Sequence, residues 1–149
     1  MYFYLKCAVI FLLLIRTVYT DIRKDRIENK ALAFSIICGF GIMLLFGETK
    51  DLLQGIEMAV VVTLVLFLLF LLKGLGAGDI KLLAVIALYF PKSGIPITGI
   101  SFIVAGIIAL GRMVLRKIRK KEVIIRGETL HFSVPIAIAV MFVLGTSYL

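Results

Sequence analysis

Apolar residues in this chain come in long blocks separated by short polar interruptions. Neither the alternation of a half-buried strand nor the one-sided stripe of a soluble helix dominates. The blocks run over about 3–20, 31–46, 52–72, 79–90, 97–115 and 131–148, and several approach the roughly 20 residues that an α-helix needs to cross a bilayer. The third block is the most hydrophobic, with a core over Val60–Phe70 that is apolar apart from Thr63. The fourth is short: about 12 residues precede Pro91, which at 1.5 Å per residue reaches roughly 18 Å of a core near 30 Å thick. Either it continues through the proline or it begins in a water-accessible recess. Pro91 to Pro96 is expected to turn the chain into the fifth block. The pattern predicts an all-α fold, a polytopic membrane helical bundle of about six transmembrane helices with both termini outside. Residues 1–149 form a single transmembrane domain in this reading.

Composition agrees. Of the 149 residues, 62% are hydrophobic and the mean hydropathy is +1.13, which excludes an ordinary water-soluble globule. The net charge of +8 raises the question of nucleic acid, but the basic residues sit in connectors between apolar blocks rather than across one folded face. No nucleic-acid partner is expected. All the lysines and arginines except Lys6, Lys50 and Lys92 fall on one side of the predicted topology, including the basic loop from Arg116 to Leu130. The positive-inside rule assigns that side to the cytoplasm of a cell-membrane protein. The first block is not read as a cleaved signal: its basic cluster, Arg23, Lys24, Arg26 and Lys30, follows the apolar stretch, and no small-x-small site is present. Cys7 and Cys38 lie inside apolar blocks without metal-ligand spacing and read as packing residues. His131 is the sole histidine and has no ligand partner in sequence, so no metal or other cofactor is expected.

Two carboxylates stand out. Asp79 begins the fourth block directly after a glycine-rich connector, and Asp21 follows the first block. An ionisable group at the edge of hydrocarbon is expensive to keep and marks a functional site by default. The topology puts both on the cytoplasmic side, although the block boundaries were drawn without reference to them. Two carboxylates sharing a water can hydrolyse a peptide: the ionised one takes a proton from water and the protonated one donates to the carbonyl oxygen. With Asp79 at a helix amino terminus and Asp21 at a carboxyl terminus, the macrodipole argument makes Asp79 the base and Asp21 the acid. Gly76 and Gly78 offer torsions closed to other residues and a close approach for a substrate strand. Asp25 reads as a solvated charge, Glu57 as a helix-facing or interfacial one, and Lys81 either biases Asp79 or snorkels to the interface.

The segment Gly76-Ala77-Gly78-Asp79-Ile80-Lys81 resembles the Gly-x-Gly-Asp-x-Lys signature of the type IV prepilin peptidases, which are GxGD membrane aspartic peptidases. Asp21 to Asn29 resembles that family's first aspartate motif, with Glu28 where a proline is usual, so a different connector geometry is expected. His131 to Ala137 is similar to the family's proline-bearing start of the last span. The resemblance implies an enzyme that cuts the leader from a membrane-anchored type IV pilin-like precursor at the cytoplasmic boundary, commonly after a glycine. It makes Asp21 and Asp79 the catalytic pair, with Gly76, Gly78, Lys81, Asn29 and Pro135 in support. The larger members' cytosolic Cys-x-x-Cys domain has no counterpart here, which puts methyl transfer in doubt and matches the short form associated with Flp/Tad-type pili. Two alternatives stand beside it. A presenilin-type intramembrane peptidase shares Gly-x-Gly-Asp, but Thr20 here separates Tyr19 from Asp21, and Pro135 is followed by Ile136-Ala137 rather than Ala-Leu. A non-catalytic assembly factor or transporter would carry the motif unused.

Overall fold

The structure is a computed structural model that describes residues 1–47, 49–72, 74–118 and 131–147. They form helices α1 (Tyr2–Lys24), α2 (Asn29–Phe46), α3 (Thr49–Leu71), α4 (Ala77–Tyr89), α5 (Pro91–Ile118) and α6 (Ser133–Ser147), with no strand among them. The all-α bundle therefore stands. Helices α1, α2, α3 and α5 are long and apolar enough to cross a membrane. Helices α4 and α6 have 13 and 15 residues, about 20 and 22 Å. Lys73 and most of the basic loop, 119–130, lie outside the described residues.

Helix α4 is the hub. From Leu82 onward it is apolar all round, as a helix enclosed by its neighbours must be, and Leu82, Leu83, Ile86 and Tyr89 are buried on successive faces. It packs against α1, α2, α3 and α5. Small residues on those neighbours let them close in. A Cβ at Gly55 of α3 would lie 2.5 Å from the Leu88 carbonyl oxygen, and one at Gly39 of α2 would lie 2.7 Å from the Tyr89 ring. Such contacts bring backbones together where hydrophobic exclusion of water no longer drives helix association. The Tyr89 hydroxyl donates to the Ser35 carbonyl at 2.6 Å, which settles the one polar atom of a wholly buried ring.

Outside this hub the helices show lipid-compatible faces. Leu12, Phe34, Ile37, Leu64, Leu68 and Ile103 are all exposed, a distribution that suits hydrocarbon rather than water. This is a multi-pass membrane protein. On α3 only Gly55, Val62 and Leu66 are buried, at helical spacing along one stripe, and the rest of its surface faces out.

Two boundaries differ from expectation. The first helix runs to Lys24, beyond Thr20, and closes with Asp25 in the left-handed region (φ 50°, ψ 32°), its N–H donating to the Asp21 carbonyl. The expected turn from Pro91 to Pro96 is instead the opening of α5. Proline is pre-organised for the first helical position and loses no needed donor there. Pro96 removes one intrahelical bond near that same end and is tolerated. The break falls on Phe90 (φ −130°, ψ 72°), since a residue ahead of proline avoids the helical region. Helix α4 thus stops at Tyr89, and of the two readings of the short block, continuation through the proline is excluded.

The packing around α4 leads to a paired expectation for thermal unfolding in detergent. Gly55→Ala should destabilise by about 1–3 kcal/mol, because the obstructing atom is backbone and cannot rotate away. Gly41→Ala, where nothing lies within 4 Å, should be neutral or stabilising by up to about 1 kcal/mol. Equal effects at the two positions would contradict the close α3–α4 approach.

Candidate active site

The inward stripe of α1 is made of Ile10, Leu13, Leu14, Thr17, Thr20 and Asp21, all buried. Asp21 follows Thr17 by four and Leu14 by seven, so the helical repeat itself turns its side chain into the bundle. The two threonines do not compete for it. Thr17 Oγ1 donates to the carbonyls of Leu13 (2.8 Å) and Leu14 (3.1 Å), and Thr20 Oγ1 to that of Thr17 (3.1 Å).

At the same end of the bundle, α4 begins. Gly76 is its N-cap, and Asp79 is the third helical residue, whose carboxylate folds back and accepts the Gly76 N–H. This is the carboxylate half of a capping box. The torsions of Gly76 (φ −76°, ψ 146°) are open to any residue, so the expectation of special backbone freedom is corrected. Glycine is required there for space: a Cβ would lie 2.9 Å from Asp79 Oδ2. Gly78 serves a different contact, because its Cβ would lie 3.1 Å from Cβ of Ile27 in the α1–α2 connector. That contact seats the connector on the start of α4 and draws the ends carrying Asp21 and Asp79 together.

Asp21 and Asp79 line one cleft of about 1090 Å³. Asp25 lines it too, and the remaining wall is apolar: Phe70, Leu71 and Leu75 on one flank, Phe102, Ala105 and Phe132 on the other. The cleft lies at the start of the short fourth block, where the sequence reading expected a recess.

Helix α6 adds two residues that the sequence reading did not place here. Ser133 is fully buried and its hydroxyl donates to Asp21 Oδ2 at 2.6 Å. His131 Nδ1 lies 3.7 Å from Asp21 Oδ2 and 3.8 Å from Asp25 Oδ1. A serine opening an apolar helix reads naturally as an N-cap, and its partner is 112 residues away in sequence. Nothing local announces it. The premise for a neutral Asp21 also falls away, because α1 continues past it to Lys24.

The other expected support residues lie apart from the cleft. Lys81 Nζ donates to Asn29 Oδ1 at 3.1 Å, and both line a groove formed by α2, α3 and α4. Pro135 is fully buried in the first turn of α6, where it shapes the helix start rather than the cleft wall. Glu28 occupies φ −73°, a value that a proline also adopts. The Arg16 guanidinium and the Lys24 ammonium, at 2.9 and 3.2 Å, hold its carboxyl below the usual carboxylate range and tie α1 to the start of α2.

A helical membrane bundle with paired carboxylates in a cleft at one end is the class of protein that these observations define. The sequence model of the type IV leader peptidase family matches residues 8–111, and the chain belongs to that family. It is a peptidase of the leader-processing kind. The match includes Asp21 and the whole of Gly76 to Lys81, and ends before His131 and Ser133. No curated protein and no solved structure matches the chain.

The two glycines should separate experimentally. Gly76→Ala displaces the Asp79 carboxylate and should lower peptidase turnover by about 10- to 100-fold with little change in melting temperature. Gly78→Ala presses on Ile27 and should lower stability by about 1–3 kcal/mol, read from the same melts. Loss of stability at Gly76 with full turnover would contradict this division.

Proposed function

We propose that the chain is an aspartic endopeptidase, with Asp21 and Asp79 as its catalytic pair, which removes the leader from a membrane-anchored type IV pilin-like precursor. The observation that carries this reading is the shared cleft: two carboxylates from α1 and α4 face one apolar-walled recess at the same end of the bundle. That end carries the basic connectors, including Arg23, Lys24, Arg26 and Lys30. It is accordingly the cytoplasmic end of a plasma-membrane protein, and both termini lie outside. The precursor's apolar helix stays in the bilayer while its leader enters the cleft in extended form.

The chemistry needs one carboxylate ionised and its partner protonated. The ionised carboxylate takes a proton from a water held between the two, and the resulting hydroxide attacks the scissile carbonyl carbon. The protonated carboxyl gives its proton to the carbonyl oxygen. Collapse of the tetrahedral intermediate breaks the C–N bond, the amine leaves with the proton taken from water, and the oxygen's proton returns to the pair. Water is consumed directly, and the reaction calls on no cofactor and no methyl donor. The apolar walls strengthen each electrostatic interaction by excluding bulk solvent.

Asp21→Asn and Asp79→Asn should each reduce cleavage of a reconstituted precursor by at least about 10²-fold, with the variant still inserted at wild-type level. The probe is a basic leader ending in glycine ahead of an apolar helix, and cleavage is followed by mass shift. Wild-type processing by both variants would refute the assignment and favour a non-catalytic role for the motif.

A further inference from the structure

We propose that the precursor's apolar helix docks between the cytoplasmic halves of α3 and α5, so that the chain enters the cleft sideways from the bilayer. This docking deepens the reading of Asp21 and Asp79 as the catalytic pair and rests on it. The occupant is an uncharged apolar α-helix whose amino end, the cytoplasmic one, continues into an extended leader.

Helices α3 and α5 touch at one end of the bundle and stand apart at the other. Toward the outer end, a Cβ at Gly94 of α5 would lie 3.1 Å from Cγ of Met58 on α3. Toward the cytoplasmic end the two helices form opposite flanks of the cleft, α3 with Phe70 and Leu71, α5 with Phe102, Gly106 and Ala109. A Cβ at Gly106 would meet nothing within 4 Å, and Leu71 is 61% exposed. The same recess of about 1090 Å³ holds Asp21 and Asp79, so the opening between the helices is continuous with the carboxylates.

What borders the opening decides what can fill it. Its flanks carry no polar side chain, whereas the charged groups lining the cleft are Asp21, Asp25 and Asp79 at the bundle's end. The recess is thus polar where a leader would be cut and apolar where the rest of the precursor would leave for the bilayer. A loop cannot lie in that apolar part, because its backbone N–H and C=O groups would go unsatisfied beside hydrocarbon. A helix satisfies its own, and an apolar one matches the flanks. One turn of a helix about 10 Å wide fills roughly 420 Å³. The cleft therefore takes an extended stretch at the carboxylates and the first turn or so of the helix behind it.

A second apolar groove, about 580 Å³ between α2, α3 and α4, lies on the wrong side of α4. Lys81 lines that groove and bonds Asn29 there, while Asp79 lines the cleft. Two residues along a helix are about 200° apart around its axis. A precursor helix in that groove would have the body of α4 between its amino end and the carboxylates.

The experiment is disulfide trapping in reconstituted membranes, in a Cys7→Ser, Cys38→Ser background with Asp79→Asn to retain the precursor. The precursor carries one cysteine in the first turn of its apolar helix. Leu71→Cys and Gly106→Cys should crosslink to it. Val60→Cys in the second groove and Phe34→Cys on the exposed face of α2 should give at least about 10-fold less product. Trapping chiefly through Val60→Cys overturns the docking, as does equal or absent trapping at all four positions, the result expected if lipid fills the opening. In enzyme with both aspartates intact, Gly106→Phe fills the opening. Since that position faces free space, the melting temperature should hold, while KM for the precursor rises about 10-fold or more with kcat kept. Leu71→Gln on the other flank should act in the same direction, and it takes over the comparison if Gly106→Phe fails to insert. An unchanged KM overturns the docking. Wild-type cleavage by Asp21→Asn and Asp79→Asn would remove the catalytic reading beneath it. Loss of cleavage in both, with no trapping through Leu71→Cys or Gly106→Cys, rejects the docking alone.

Discussion

Holding two carboxylates against one apolar cleft opposes both solvation and like-charge repulsion, and the surrounding structure is organised around that conflict. On α1 the stripe Ile10, Leu14, Thr17 and Asp21 makes the inward direction of Asp21 a consequence of helical repeat. The packing that buries the first three buries the fourth. On α4 the carboxylate of Asp79 folds over a glycine N-cap. The two helix ends meet because Ile27 can sit directly on Gly78. Remove any of these and the carboxylates separate or turn to water, which is the lower-energy state for each alone.

A second requirement is a rigid floor. From Leu82 to Tyr89 helix α4 is packed in among its neighbours, and Gly39 and Gly55 let those neighbours approach its backbone and its Tyr89 ring. In a soluble protein a buried helix is held by exclusion of water from its whole surface. Here the outer faces of α1, α2, α3 and α5 are as apolar as the interior, so close packing has to supply the specificity. The division of labour follows from this. The long helices present apolar faces outward, whereas the short central one is packed among them and carries the catalytic candidate at its exposed start.

Much of this could be read before any coordinates. Block lengths give the helices, and the basic connectors place Asp21 and Asp79 at one end, as the structure has them. Three features resisted. Proline reads as a turn from sequence, but Pro91 at a first helical position is a helix start, and only the conformation of Phe90 separates the two outcomes. Glycine reads as torsional freedom, yet Gly76 and Gly78 have tertiary reasons: a carboxylate oxygen over one and Ile27 over the other. Ser133 has no role in the sequence reading because its partner is remote, and no periodicity within α6 points to α1. In each case the local signal was right about residue type and silent about the neighbour.

That silence explains how the site is assembled across the chain. The segment matched by the leader peptidase family holds both aspartates and the glycine-rich start of α4, which is enough to define two acids in a cleft. Two chemically identical acids in one recess have no inherent division of roles. Helix α6 brings a buried hydroxyl to one oxygen of Asp21 and an imidazole within 4 Å of the same oxygen, while Asp79 accepts the Gly76 N–H. The last helix, outside the matched segment, thereby contributes direct contacts to a recess whose acids lie on α1 and α4.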